Sequence, residues 1–168
     1  MILSRDKAAE ALEWTRQVIP RLGLTLNEAK TSIKQANKED FNFLGYTFGA
    51  HWYRKTGQWY IGASPSKKSV ARIKQKVGDL LVPTNKGGWQ QVRDRLNQML
   101  HGWASYFSYG SRGQVYRTVD HYVYDRVKHF LRKRHKVPSR GATRFSYEVV
   151  YGKLGVFRLS RVQLKPRS

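Results

Sequence analysis

The sequence predicts an α+β chain: about sixty residues of mixed helix and strand carrying a β-hairpin, then a mainly helical region of three helices. Three observations predict it. The apolar residues change period after Gly62, from alternation to helical spacing. Two aromatic runs flank a Gly-containing turn at Lys55-Thr56-Gly57. Apolar residues make up 40% and aromatics 13%, with five Trp and ten Tyr, enough to build a core rather than a disordered basic tail.

Taken in order, Ser4 caps a first helix running through Asp6 to Trp14, acidic early and apolar at Ala8, Leu12, Ile19 and Leu22. Pro20 and Gly23 close it. Leu24 to Asn27 alternates like a short strand, and Phe41 to Phe48 reads as a second strand apolar on both faces, so buried strands packed by one helix are expected. His51 to Arg54 and Gln58 to Ile61 form the hairpin arms, with Gly57 supplying the positive φ.

Ser64-Pro65 starts the next helix, with Val70, Ile73, Val77, Leu80 and Leu81 on one side and Lys68, Arg72 and Lys76 in i, i+4 steps on the other. Residues 83–88 are a breaker cluster. Trp89 to Phe107 then gives the cleanest amphipathic pattern, with Val92, Leu96, Met99, Trp103 and Phe107 at helical spacing, ended by Gly110 to Gly113. A third helix spans about Val115 to Lys136, with Val119, Tyr122, Val123, Val127 and Phe130 inward and Arg117, Tyr124, Lys128 and Arg132 outward. Arg126 falls among apolar neighbours and is expected to be a partly buried arginine paired with Asp120 or Asp94. Phe145 to Leu159 reads as either a hairpin or an irregular cap.

Thirty-two Lys and Arg against 11 Asp and Glu leave a formal charge of +21, a surface that repels itself unless a polyanion neutralises it. Nucleic acid is the leading partner. No apolar stretch is long enough to span a bilayer and no signal-peptide pattern opens the chain, so a cytoplasmic protein with no membrane partner is expected. The absence of cysteine removes disulfides, zinc ribbons and thiol nucleophiles. His121, His129 and His135 lack the spacing of a helical zinc site, so no metal ligands are assigned.

The basic candidates for phosphate binding are Lys68, Arg72 and Lys76 on one helix, Arg117, Lys128 and Arg132 on another, and the run Lys133, Arg134 and Lys136, continued by Arg140 and Arg144. Tyr124, flanked by Arg117 and Lys128 on the helical wheel, is the leading base-stacking candidate. Trp103 and Phe107 share the stripe of Leu96 and Met99 and are assigned to the core before any stacking role. The hairpin aromatics Trp52, Tyr53, Trp59 and Tyr60 are ambiguous between the two roles.

Several segments resemble group II intron reverse transcriptase/maturases, in order along nearly the whole chain. Residues 23–31, Gly-Leu-Thr-Leu-Asn-Glu-Ala-Lys-Thr, resemble the segment after the palm helix of these enzymes, and Phe43-Leu44-Gly45-Tyr46 resembles the last palm motif. Leu96 to Phe107, ending in Gly102-Trp103-Ala104-Ser105-Tyr106-Phe107, is similar to the maturase signature, and Asp120-His121-Tyr122-Val123-Tyr124 follows in the right order. The resemblance implies a carboxy-terminal palm remnant over 1–62, thumb-like helices over 63–112 and a maturase region over 113–168.

It further implies that the partner is structured group II intron RNA, with an RNA/DNA template-primer duplex as a second ligand of the complete enzyme. The Tyr-Ala-Asp-Asp motif that holds the catalytic magnesium ions in the family is missing, and no Asp-Asp pair occurs. The reading is therefore a truncated reading frame or an excised piece with no catalytic residues and no cofactor of its own, in which Lys30 is a vestige of the palm. Because the chain stops at Ser168, no target-DNA cleavage is expected. Two alternatives remain: a general basic RNA- or DNA-binding module, and an active enzyme, either a polymerase completed by a missing amino-terminal portion or a metal nuclease using scattered acids.

Overall fold

A computed structural model describes residues 7–53, 56–137 and 144–162. Helix α1 (Ala8–Arg21) starts after Lys7 with no side-chain cap, and Ser4 lies outside the described residues. Pro20 occupies its last turn and Gly23 follows with φ +72°. No α1 residue is fully buried, and Trp14 is exposed, so the expected helix packed over buried strands is corrected. An arginine fork reaches forward instead: Arg16 Nε and Nη2 donate to Glu28 at 3.1 and 2.9 Å.

Glu28 belongs to a 3₁₀ turn (Glu28–Lys30), and no strand forms at Leu24 to Asn27. The cause is local. The Asn27 side chain accepts the Lys30 N–H at 3.1 Å and Thr31 Oγ1 donates to the Asn27 carbonyl at 2.8 Å, offering the backbone an alternative to a ladder.

The apolar run from Phe41 to Phe48 is also not one strand. It folds on itself as β1 (Phe41–Phe43) and β2 (Tyr46–Tyr53), antiparallel, with Phe43 opposite Tyr46. Leu44 and Gly45 alone make the turn, at φ +47° and +80°, as a two-residue type I′ connection demands. Leucine is an unusual residue there, which is why the run reads as continuous. Phe41 and Phe48, directly opposed, stack at 5.3 Å and reward the fold-back. Strand β3 (Gln58–Pro65) pairs with β2 to complete a three-stranded sheet in the order β1-β2-β3, and Gly57 holds φ +63° in the hairpin turn as expected.

Ser64 and Pro65 finish β3 rather than opening a helix; Ser66 is the true cap, its side chain accepting the Ser69 N–H, and α2 runs Lys67–Leu80. Helix α3 (Trp89–Tyr106) and α4 (Gly113–Arg134) follow. The core lies among these three helices and the tail: Val77, Leu81, Leu96, Leu100, Val119, Val123 and Val127 have no exposure. Each such aliphatic side chain contributes about 1.5–3 kcal/mol by leaving water, so this body carries most of the stability. The buried stripe of α3 is Val92, Leu96, Leu100 and Ala104, continued by its capping residue Phe107; Met99 and Trp103 sit half-buried at its edge.

Among its described residues the tail forms no strand. It is the irregular cap of the two readings, with a π-helical turn (Val149–Lys153) and a 3₁₀ turn (Leu159–Arg161) laid on α3 and α4. Two side chains fasten it. Buried Asp120 accepts the N–H groups of Leu159 and Ser160, each at 2.9 Å, and Asn97 donates to the Gly155 carbonyl at 2.8 Å while accepting the Phe157 N–H at 2.7 Å. Arg126 therefore finds neither expected acid. Asp120 is taken by the tail, Asp94 pairs with Arg93 at 2.8 Å, and Arg126 donates to the Gly78 carbonyl of α2 at 3.2 Å.

The sheet is bolted to this body at the Leu44-Gly45 turn. The Gly45 carbonyl accepts from Ser66 N and Ser69 Oγ, both at 2.9 Å, and Tyr106 Oη donates to the Leu44 carbonyl at 2.9 Å while Tyr46 Oη donates back to the Tyr106 carbonyl at 2.8 Å. A second fastening joins Ser111 N to the Ala63 carbonyl at 2.7 Å.

Candidate nucleic-acid interface

The α2 candidates are presented together. Lys68, Arg72 and Lys76 are exposed along successive turns of the helix, whose opposite side buries Ile73 and Val77. Arg72 and Lys76 also line a groove of about 500 Å³ between α2, α3 and the Leu44-Gly45 turn, whose other wall includes Met99, Trp103 and Tyr106. Cations on one wall and aromatic edges on the other are the arrangement single-stranded and structured RNA sites use, because phosphates and bases are then met by different walls.

On α4 the expected outward stripe is only partly outward. Arg117 is exposed, but Tyr124 is half-buried beneath the tail: its hydroxyl donates to the Phe145 carbonyl at 3.2 Å and its ring packs on Tyr147 at 5.2 Å. The exposed-face placement of Tyr124 is corrected, since the irregular cap that covers it leaves no periodic trace in the sequence. Lys128 lies half-buried over the Tyr124 ring at 5.5 Å, and Arg132 is half-buried with its Nε enclosed and without a hydrogen-bond partner among the described residues.

In the following basic run, Lys133 and Lys136 are exposed. Arg134 is occupied internally, donating to the Gly87 carbonyl at 2.6 Å and reaching the Lys86 carbonyl at 3.5 Å, which ties down the α2–α3 connection. Arg144 is exposed, its guanidinium over the Phe145 ring at 5.9 Å, and Arg140 lies outside the described residues. Lys30 is exposed at the end of the 3₁₀ turn. The exposed basic candidates thus divide between the α2 face and the α4–tail face.

Trp103 contacts Phe107 and Tyr116 at centroid distances of 4.9 and 5.7 Å, so it is a packing residue as expected. Its position as a groove wall was not legible, because the groove exists only once the Leu44-Gly45 turn folds against α3. The hairpin aromatics resolve toward exposure: Trp52, Tyr53, Trp59 and Tyr60 all face solvent, and Trp52 and Trp59 meet edge to face at 5.3 Å.

The adjacent acids Glu39 and Asp40 do not fit a magnesium site. Lys34 holds Glu39 at 2.9 Å, and that contact keeps its carboxyl below the usual range, whereas Asp40 lies across the backbone of Gly49. Among the described residues no group of three or more His, Asp or Glu side chains is placed to hold a metal. Among them, too, no helix is long and apolar enough to cross a membrane.

A comparison with curated proteins finds no match. A family model does match: residues 70–147 correspond to "Group II intron, maturase-specific domain". That span begins at Val70 in α2, takes in all of α3 and α4, and ends at Tyr147, where the tail begins to cover α4. The helical region of this chain over residues 70–147 is therefore similar to a group II intron maturase-specific domain.

Proposed function

We propose that this chain binds structured group II intron RNA and assists its folding and splicing, as the maturase part of an intron-encoded reverse transcriptase (an RNA-directed DNA polymerase). The observation that carries the reading is that the maturase-specific match takes in Arg72 and Lys76 of the exposed basic face of α2 and the aromatic wall of its groove, on a chain of net charge +21. RNA helices repel one another. A protein that neutralises phosphates at Lys68, Arg72 and Lys76 lowers that repulsion and lets distant helices approach, while splicing chemistry stays with the RNA. The reverse-transcriptase part rests on the palm-like segments at 23–31 and 43–46, and the same face would hold a template-primer duplex in a complete enzyme.

Competition tests the reading. With labelled, folded group II intron RNA bound to the chain, unlabelled intron RNA is expected to displace it at about one tenth or less of the concentration needed by a random duplex of equal length, since specific binding exceeds non-specific binding by at least that margin. Equal competition by the two would identify a general basic nucleic-acid-binding module instead.

A further inference from the structure

A second groove, of about 570 Å³, lies where the tail crosses α3, and the basic face of α2 takes no part in it. Asn97 and His101 line it from α3, and Phe157, Arg158 and Arg161 from the tail. Its walls are held in place by the two fastenings already described, the Asn97 amide on Gly155 and Phe157 and the Asp120 carboxylate on Leu159 and Ser160. A site fixed in this way loses little freedom when a ligand enters.

His101 and Phe157 stack with centroids 3.5 Å apart and planes inclined by 27°. Phe157 leans on the core and covers one face of the imidazole; His101 is exposed, so its other face is open. The two arginines differ. Arg158 is 4.0 Å from the Asp120 carboxylate and lies over the Tyr147 ring at 4.9 Å, so its charge is partly spent within the fold. Arg161 is exposed and has no ion pair among the described residues.

We infer that this groove binds a single unpaired nucleotide of RNA, its base stacked on the open face of His101 and its phosphate against Arg161. A simple anion would use the guanidinium and leave the ring pair idle, and an apolar ligand would use the rings and strand the arginines. A base within a duplex has no free face to offer, whereas a bulged or looped-out base has one, and stacking on aromatic rings beside arginine is how unpaired bases are held. The groove's size falls within the roughly 300–1,000 Å³ of small-ligand sites. The inference rests on the RNA-binding reading above and adds what feature of the RNA is recognised.

The test uses the full chain and two RNA hairpins of equal length, one fully paired and one with a single bulged 2-aminopurine. Wild type is expected to bind the bulged hairpin about tenfold tighter, within the range one stacked base contributes, and to quench the 2-aminopurine emission. His101→Ala and Arg161→Gln should each remove most of that preference and His101→Phe should retain it, with the melting temperature nearly unchanged in Arg161→Gln, whose side chain is exposed. Wild type binding both hairpins alike, or variants weakening both equally, would overturn the nucleotide site and leave the RNA-binding reading standing. Failure of wild type to bind either hairpin at low salt would overturn both.

Discussion

An aspartate at position 120, one turn from the exposed Arg117, would in an isolated helix be a solvated side chain. Here it is buried and serves as the acceptor for two tail N–H groups, while Tyr151 Oη donates to its backbone carbonyl at 2.5 Å. Hydrogen bonds to a buried charge contribute about 1.5–3 kcal/mol each, so Asp120→Ala should lower unfolding free energy by about 3 kcal/mol in urea titration. A loss under about 1 kcal/mol would mean that the tail is not fastened there. Buried tyrosines give a second check. Burial pushes the Tyr116 phenol up to about 12 and raises Tyr151 as well, while an unfolded tyrosine ionises near 10. A folded value above the unfolded one means stability is fully present below about pH 10 and is lost as pH rises toward 12. In a pH titration followed at the tyrosinate absorbance band, the signal of these two should appear only with unfolding. At this scale the sequence is partly legible: Arg126 is half-buried as its apolar neighbours predict, but neither of the acids expected for it, Asp120 or Asp94, is its partner. The tail that takes Asp120 has no period to read.

The elements were legible where the hydrophobic period ran long enough to be unambiguous, and failed where a turn used an atypical residue. The three body helices follow from apolar spacing alone, with ends displaced by about two residues or fewer, the margin expected of helix boundaries. The Leu44-Gly45 turn was hidden because leucine occupies a position that favours asparagine or glycine. Leu44→Asn is therefore expected to raise stability by about 0.5–1 kcal/mol, measured by thermal melting, since asparagine tolerates the left-handed region better. Gly110 makes the opposite case. It holds φ +73°, and a Cβ there would sit 2.1 Å from the backbone carbonyl oxygen of Ala63, the group that Ser111 N donates to. Gly110→Ala combines a left-handed penalty with a backbone clash and should cost about 2–4 kcal/mol or detach the sheet from α3, visible as lost amide protection at Ser111.

Across the whole molecule, the charge and the helical body were readable from composition and pattern, and the maturase-specific domain match falls on that body. How the cations divide was not readable, because a helical wheel shows what leaves a helix's own stripe and not what the rest of the chain then covers. Lys128 and Arg132 lie partly under neighbours and Arg134 holds a loop, whereas Lys68, Arg72 and Lys76 remain exposed beside a groove. The α2 face is thus the RNA site we propose. The direct measurement is the salt dependence of affinity for folded group II intron RNA, comparing wild type with Lys68→Ala/Arg72→Ala/Lys76→Ala. Each phosphate contact contributes about 0.7–0.9 to the slope of log affinity against log salt, so the triple variant should lose about two units with its melting temperature nearly unchanged. An unchanged slope in a folded variant would contradict the account and move the site to Arg117, Lys133 and Lys136.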